Sequence, residues 1–385
     1  MRTPNFEHRT ANSNSLLDKI YFSKFLFETL MNDFFDFLWQ KIRINIMQMK
    51  NYVLPVFALV CLSCNNSASQ QDKTSDSTST DSTKIVSSNT LDTVRYNELQ
   101  NYLANGDTTG RWPVKHEYPL AGAVLPFNRI VAYYGNLSSN RMGALGKWPK
   151  KEMIPKLLDE VKKWSDADSV IKAIPALHYI AVTAQGAAGK DGKWRLRMPF
   201  KQIDTVIAWA KEINALVFID VQVGLSDVQA ELPQFEKYMA MPNVHFGIDP
   251  EFAMKAKGNK KPGSVIGSLD AADINWMTEY LAGIVRKNNI PPKIFMVHRF
   301  TQGMVTNANK IKVIPEVQIV MDMDGWGGPA KKKDSYYSWI YKQPVQFTGF
   351  KLFYVNDTEK SGLKEMMSRE EILKLKPKPI YIQYQ

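Results

Sequence analysis

Acidic side chains recur in this chain at the spacing that sets them on one face of a strand. In Asn243-Val-His-Phe-Gly-Ile-Asp-Pro-Glu-Phe252, apolar Val244, Phe246 and Ile248 alternate with His245, Gly247 and Asp249, and Glu251 follows two residues later. Side chains of a strand repeat with period two, so Asp249 and Glu251 point the same way. The stretch 216–223 reads alike, with Val217, Ile219, Val221 and Val223 opposite Asp220 and Gln222. In 317–324, Asp322 and Asp324 again share a face. Burying such acids is costly, because desolvation and neighbouring negative charge both raise a carboxyl pKa. The same effect drives pKa values apart, leaving one carboxyl protonated and another ionised, which is the equipment of acid–base hydrolysis. The expected catalytic set is Glu251, Asp249, Asp220, Asp322 and Asp324. The competing reading pairs Asp249, Asp322 and Asp324 with His298, Arg299 or Lys351 in a structural network. A second chemical reading gives Asp220, Asp249, Glu251, His245, His298 and Asp322 to a hard divalent ion or zinc. No H-x-H or H-E-x-x-H spacing supports it, so the expectation is no metal and no cofactor.

The elements that must position these groups follow from periodicity. After a short helix carrying Tyr96, Leu99, Tyr102 and Leu103, strand-like runs alternate with helical spacing from Arg129 to the C-terminus. Strands are expected at 130–135, within 174–184, and at 216–223, 244–248, 294–298, 317–323, 350–355 and 380–384. Between them lie helices marked by Met153, Leu157, Val161 and Trp164, then by Ile203, Val206 and Ala210. A third helix is expected from Pro233, and a fourth behind an Asp270 cap with Ile274, Met277 and Leu281. A fifth covers 335–341, and Ser368 with Glu371 makes a capping box for the last. Eight βα units of this length predict an α/β fold, the (β/α)8 TIM barrel. A doubly wound open sheet is the competitor, but no G-x-G-x-x-G follows the first strand.

Barrel chemistry gathers at the C-terminal strand ends. There the sequence offers Tyr133, Asn136, Gln222, His298, Gln302, Trp326, Lys351, Tyr381 and Gln383 as substrate-binding candidates, besides Thr183 and Gln185. Loops beyond add Trp148, Trp194 and cations including Lys190, Lys193, Lys260, Lys261 and Lys331 to Lys333, a rim suited to sugar rings and acidic groups.

A chain of 385 residues, 44% hydrophobic and 23% charged, has ample material for one large core. Its net charge of +11 invites a nucleic-acid partner, but no basic recognition helix, RNP motif or zinc pattern is present, and none is expected. Both cysteines, Cys61 and Cys64, end one apolar run near the N-terminus. Residues 49–64 have the plan of a signal peptide: a lysine, about ten apolar residues, then small Ser63 before Cys64. Residues 65–92 are a Ser/Thr/Asp-rich tether that cannot bury enough surface to fold, and 93–385 form the barrel domain. Residues 1–48 precede a signal that works from the N-terminus, so they read as an upstream extension outside the true start.

Leu62-Ser63-Cys64 resembles the lipobox of bacterial lipoproteins, which implies lipidation at Cys64 and a membrane-anchored protein on the periplasmic or cell-surface side. Gly247-Ile-Asp249-Pro-Glu251 resembles the D-x-E strand-four ending of family 18 chitinase and family 25 lysozyme-like barrels. Val320-Met-Asp-Met-Asp324 is similar to the Met-x-Tyr-Asp segment of the chitinase-like group, with Met323 in place of the tyrosine. The resemblance implies Glu251 as general acid, Asp249 as its partner and Asp324 as an orienting carboxylate. The domain as a whole, including Pro262 to Asn275, resembles bacterial TIM-barrel lipoproteins. The expectation is a membrane-anchored glycoside-hydrolase-like barrel acting on an extracytoplasmic glycan. The alternative is a surface glycan-binding or scaffolding lipoprotein without turnover.

Overall fold

The computed structural model describes residues 90–385. The expected upstream extension, signal segment with Cys64, and most of the tether lie outside the described residues.

Eight parallel strands form a closed barrel: β1 (Arg129–Gly135), β2 (Ala173–Ala184), β3 (Leu216–Val221), β4 (Val244–Ile248), β5 (Lys293–Arg299), β6 (Val317–Met323), β7 (Phe347–Leu352) and β8 (Tyr381–Tyr384). Each strand pairs with its neighbours in sequence, and β1 closes the ring by pairing with both β2 and β8. The barrel, not the open sheet, is therefore the fold. Alternation divides the core into two layers. Outward Val217, Ile219, Val221 and Val223 pack with Met153, Leu157, Ile203 and Val206 from the surrounding helices. Inward Ile130, Ala132, Ala176, Phe218, Ile294 and Val320 fill the lower barrel.

Helix α1 (Thr93–Ala104) lays Tyr96, Leu99 and Leu103 against that lower core. Beside it, buried Arg129 meets Asp168 at 2.6 Å, and the Tyr102 hydroxyl donates to the same carboxylate at 2.8 Å. Helices α2 (Lys150–Ala167), α3 (Phe200–Glu212) and α4 (Ala271–Asn288) stand where their apolar spacing places them. After β3 the helical segment starts at Val228 rather than Pro233, because Asp227 caps it by accepting the Ala230 N–H at 2.8 Å. Likewise α5 (Pro329–Ser335) begins ahead of the expected 335, and a π-helical turn, Tyr336–Tyr341, continues it. Strand β7 lies three residues earlier than expected. The capping box of Ser368 and Glu371 starts α6 (Arg369–Leu373) as expected.

Asp270 caps α4 and also ties down the β5–β6 loop. Its carboxylate accepts the Ala272 N–H at 3.0 Å and takes hydrogen bonds of 2.6 Å from Thr306 Oγ1 and Asn307 Nδ2. Asp270→Ala is expected to cost about 1–2 kcal/mol, as strong N-caps do. The check is a lower denaturation midpoint with an unchanged denaturant slope.

Candidate active site

Above the lower core the inward positions turn polar. Asp220, Gln222, Asp249, His298, Asp322, Asp324 and Lys351 all face the axis, as do His178, Tyr134, Tyr381 and Gln383. Space for them is made by two glycines. A Cβ at Gly247 would lie 2.5 Å from Asp220 Oδ1, and one at Gly349 would lie 2.3 Å from Asp322 Oδ1. Register explains this directly, since Asp220 pairs with Gly247 and Asp322 with Gly349 across neighbouring strands.

An open cleft of about 680 Å³ sits over this layer, in the range of small-ligand sites. Its polar lining includes Glu251, Asp249, Asp324, Gln222 and Lys351, and its aromatic walls include Trp326, Phe300 and Phe353. Asp249 ends the β4 run and caps a 3₁₀ turn, Pro250–Phe252, by accepting the Glu251 N–H at 3.0 Å. From the other side the Gly267 N–H donates to the Glu251 carbonyl at 2.6 Å. The turn carrying Glu251 is thus held at both ends while its carboxyl reaches the cleft.

Burial, and behind it the Asp324 charge, pushes the Glu251 carboxyl from 4.5 up to about 7, with Lys351 and His298 pulling the other way. Asp324 goes in the opposite direction. Burial opposes its charge, but Lys351 Nζ at 2.9 Å and His298 Nδ1 at 3.0 Å hold it below the ordinary carboxylate value. Asp249 is raised well above its ordinary value, chiefly by burial. At neutral pH one cleft therefore holds an ionised Asp324 and a Glu251 that still keeps its proton in about half of the molecules.

Asp220 and Asp322 are fully buried below this floor and do not line the cleft. Two histidines hold Asp220 well below the usual carboxylate range against the cost of burial. Burial pushes Asp322 up to about 7. His298 also lies beneath the cleft; burial opposes its charge, but Asp324 and Asp220 hold its pKa well above the ordinary histidine value. Tyr381 and Gln383 sit deeper still, against His178. These residues are buried beneath the groups that line the cleft and are not part of its lining.

Other expectations need correction. Tyr133 faces the helices, sharing a 3.1 Å hydrogen bond with Tyr354; Tyr134 is the inward tyrosine and lines the cleft. Asn136 spends its side-chain amide on the Ile180 carbonyl at 2.8 Å, so it shapes the β1 end and does not line the cleft. Gln302 borders a separate hollow with Asn307 and Gln343. Arg299 points outward and donates to Gln343 Oε1 at 2.7 Å. His245 needs no correction: as an interior histidine is expected to do, it sits in the core and its Nδ1 accepts the Ile294 N–H at 3.1 Å.

Among the loop residues, Trp326 is 44% exposed and lines the cleft, whereas Trp148 packs on the core with Tyr133 and Tyr354. Lys332, counted among the rim cations, is buried instead. Its Nζ meets Asp357 Oδ2 at 2.7 Å, Lys351 O at 2.7 Å and Gly325 O at 2.9 Å, and so fixes the loop that presents Trp326. Arg141 and Lys331 supply the cleft's cationic edge.

No family model and no curated protein matches the chain. Among solved structures it is similar to a cellulase, Cel5C_n, at 16% identity and a TM-score of 0.35, covering 62% of this chain and 69% of that one. A tri-modular GH5 (subfamily 4) endo-β-1,4-glucanase from Bacillus licheniformis gives 12% identity and a TM-score of 0.36, over 74% of this chain and 55% of that one. A mutant form of Thermotoga maritima Cel5A in complex with cellobiose gives 12% identity and a TM-score of 0.33, over 67% and 88%. Likeness this distant carries no argument about chemistry, which has to come from the cleft itself.

Proposed function

We propose that this barrel hydrolyses a glycosidic bond, with Glu251 as proton donor and Asp324 as the ionised carboxylate across from it. The observation that carries the reading is the opposite tuning of two carboxyls that share one open cleft. Glycosidic cleavage commonly needs such a pair, one to protonate the departing oxygen and one to meet the charge or the water at the sugar carbon. Glu251 gives its proton to the glycosidic oxygen as the C–O bond breaks. Asp324, neutralised in part by Lys351 and His298, stays ionised and faces the positive charge that develops on the sugar ring; water then adds its oxygen to the sugar carbon and returns a proton to the Glu251 carboxylate. Asp249 holds the Glu251 turn, in keeping with the partner role that the strand-four resemblance implied. Trp326 offers an aromatic face for a sugar ring, and Arg141 with Lys331 favours a glycan bearing acidic groups.

The test is product release from a panel of cell-wall and plant polysaccharides by the full-length protein. Reducing ends released by the wild type and not by Glu251→Gln support the proposal. Equal release by both removes Glu251 from the acid role, and binding without release by the wild type replaces hydrolysis with a glycan-binding function.

A pH dependence follows with a definite sign. Glu251 must be protonated to act, and its value stands at about 7. The rate is therefore expected to fall above pH about 7, approaching tenfold per unit, in a kcat–pH profile.

We further infer that Cys64 carries lipid and tethers the enzyme on the periplasmic or cell-surface side of a bacterial envelope, where it meets its glycan. Its support is the lipobox-like Leu62-Ser63-Cys64 followed by a polar tether. Labelled palmitate is expected to enter the wild type and to be lost in Cys64→Ser. Equal labelling of the two would place any lipid elsewhere.

A further inference from the structure

Beneath the cleft floor three ligand-type atoms converge without hydrogen-bond partners: His178 Nε2, Asp220 Oδ1 and His298 Nε2, all on fully buried side chains. The three lie within 4.8 Å of one another. Asp220 Oδ1 is 3.3 Å from His178 Nε2 and 3.5 Å from His298 Nε2. Both separations exceed an ordinary N–H···O bond of about 2.7–3.2 Å. They match the spacing of about 3.3–3.4 Å between ligand atoms set tetrahedrally around an ion at about 2.0–2.1 Å.

We propose that His178, Asp220 and His298 bind a divalent transition-metal ion, zinc in the first place. Two imidazoles and a carboxylate suit zinc and its neighbours in the first transition row. The atoms behind the ligands suit it too, since metal-binding histidines have their second nitrogen held by an acceptor. His298 Nδ1 has the Asp324 carboxylate beside it, with Oδ2 at 3.0 Å but not aligned for a hydrogen bond, and the Tyr134 hydroxyl donates to Asp220 Oδ2 at 3.1 Å. His178 Nδ1 lies 2.6 Å from the Tyr381 hydroxyl and 3.2 Å from the Gln383 amide.

Gly247 completes the case. A Cβ there would lie 2.5 Å from Asp220 Oδ1 and 2.8 Å from His178 Nε2, so glycine keeps carbon away from the point of convergence. The ligands are sealed from the cleft, so the ion would not meet the substrate. It would act by position, fixing the His298 ring and through it the Asp324 carboxylate. Bound there, the ion takes the place of the Nε2 proton of the His298 cation and keeps positive charge beside Asp324, and its detection does not depend on Glu251 being the acid.

The test starts from full-length protein stripped with chelator and titrated with Zn²⁺ or Co²⁺. One equivalent of Zn²⁺ retained through gel filtration, and the strong visible absorption of low-coordinate Co²⁺, are expected. Both are expected to be lost in His178→Gln. Substoichiometric metal with no visible band overturns the proposal, and so does a full equivalent that persists in the variant. A readout that needs no variant is ¹⁵N-histidine NMR of the wild type. Ring resonances of two of the five histidines should move on adding Zn²⁺; unmoved resonances contradict the site.

Discussion

Glu251→Gln is expected to lower kcat on an unactivated glycan by about 10²- to 10⁴-fold, the usual worth of a positioned general acid. Glutamine keeps the shape and the backbone hydrogen bonds of the turn, because Asp249 and Gly267 hold it through the main chain at position 251. What it removes is the transferable proton. The loss should therefore depend on the leaving group: an aryl glycoside whose phenolate departs without protonation is expected to recover most of the rate. Folding provides the control, since the melting temperature should barely move. A uniform loss across leaving groups would mean that Glu251 binds substrate without donating a proton.

Lys351→Met should show the largest effect on stability, with a diagnostic change in pH behaviour. The ammonium is buried, 2.9 Å from Asp324 Oδ1 and 3.9 Å from the centre of the Tyr134 ring. Methionine fills similar volume but leaves the Asp324 carboxylate with His298 as its one close cation among the described residues. Removing one partner of a buried pair costs about 3–5 kcal/mol. Lys351 also pulls the Glu251 pKa down. Without it that value rises, so the alkaline limb of the rate profile is expected to move above pH about 7. A purely structural lysine would lower stability and leave the limb where it was.

These effects trace back to features of the sequence that were legible in unequal measure. Where one strand face is apolar and the other polar, alternation gives orientation directly, as it does for Asp220 and Gln222 in β3 and for Asp322 and Asp324 in β6. In β1 the run Ile130 to Tyr134 is apolar or aromatic throughout and buried on both faces. Period two carries no contrast there, and Tyr133 is mistaken for Tyr134. The shift of β7 has a related origin, because Phe350 to Val355 is the more apolar stretch while Thr348 and Gly349 weaken the true strand on sequence alone. Gly349 is needed for the room it leaves Asp322, a demand that arises only once β6 and β7 are side by side.

His178 shows the same limit. It is a single histidine in an apolar run, and its partners Asp220 and His298 come from other strands 42 and 120 residues away. Tyrosine and glutamine at 381 and 383 read as mouth residues because they face inward, yet facing inward does not say how high on the barrel a side chain stands. Height depends on register between strands, and sequence periodicity does not encode it. Lys332 is lost among Lys331 and Lys333 for a comparable reason: its burial is set by Asp357, the Lys351 carbonyl of β7 and the Gly325 carbonyl seven residues back.

The most direct measurement is the titration of the Glu251 carboxyl itself, followed by infrared difference spectroscopy of wild type against Glu251→Gln across pH. A protonated carboxyl band that is present at pH 5 and disappears with a midpoint near about 7 is the predicted result. A band already lost by pH 5, as for an ordinary glutamate near 4.5, would contradict the proposal that this cleft keeps a proton ready for transfer.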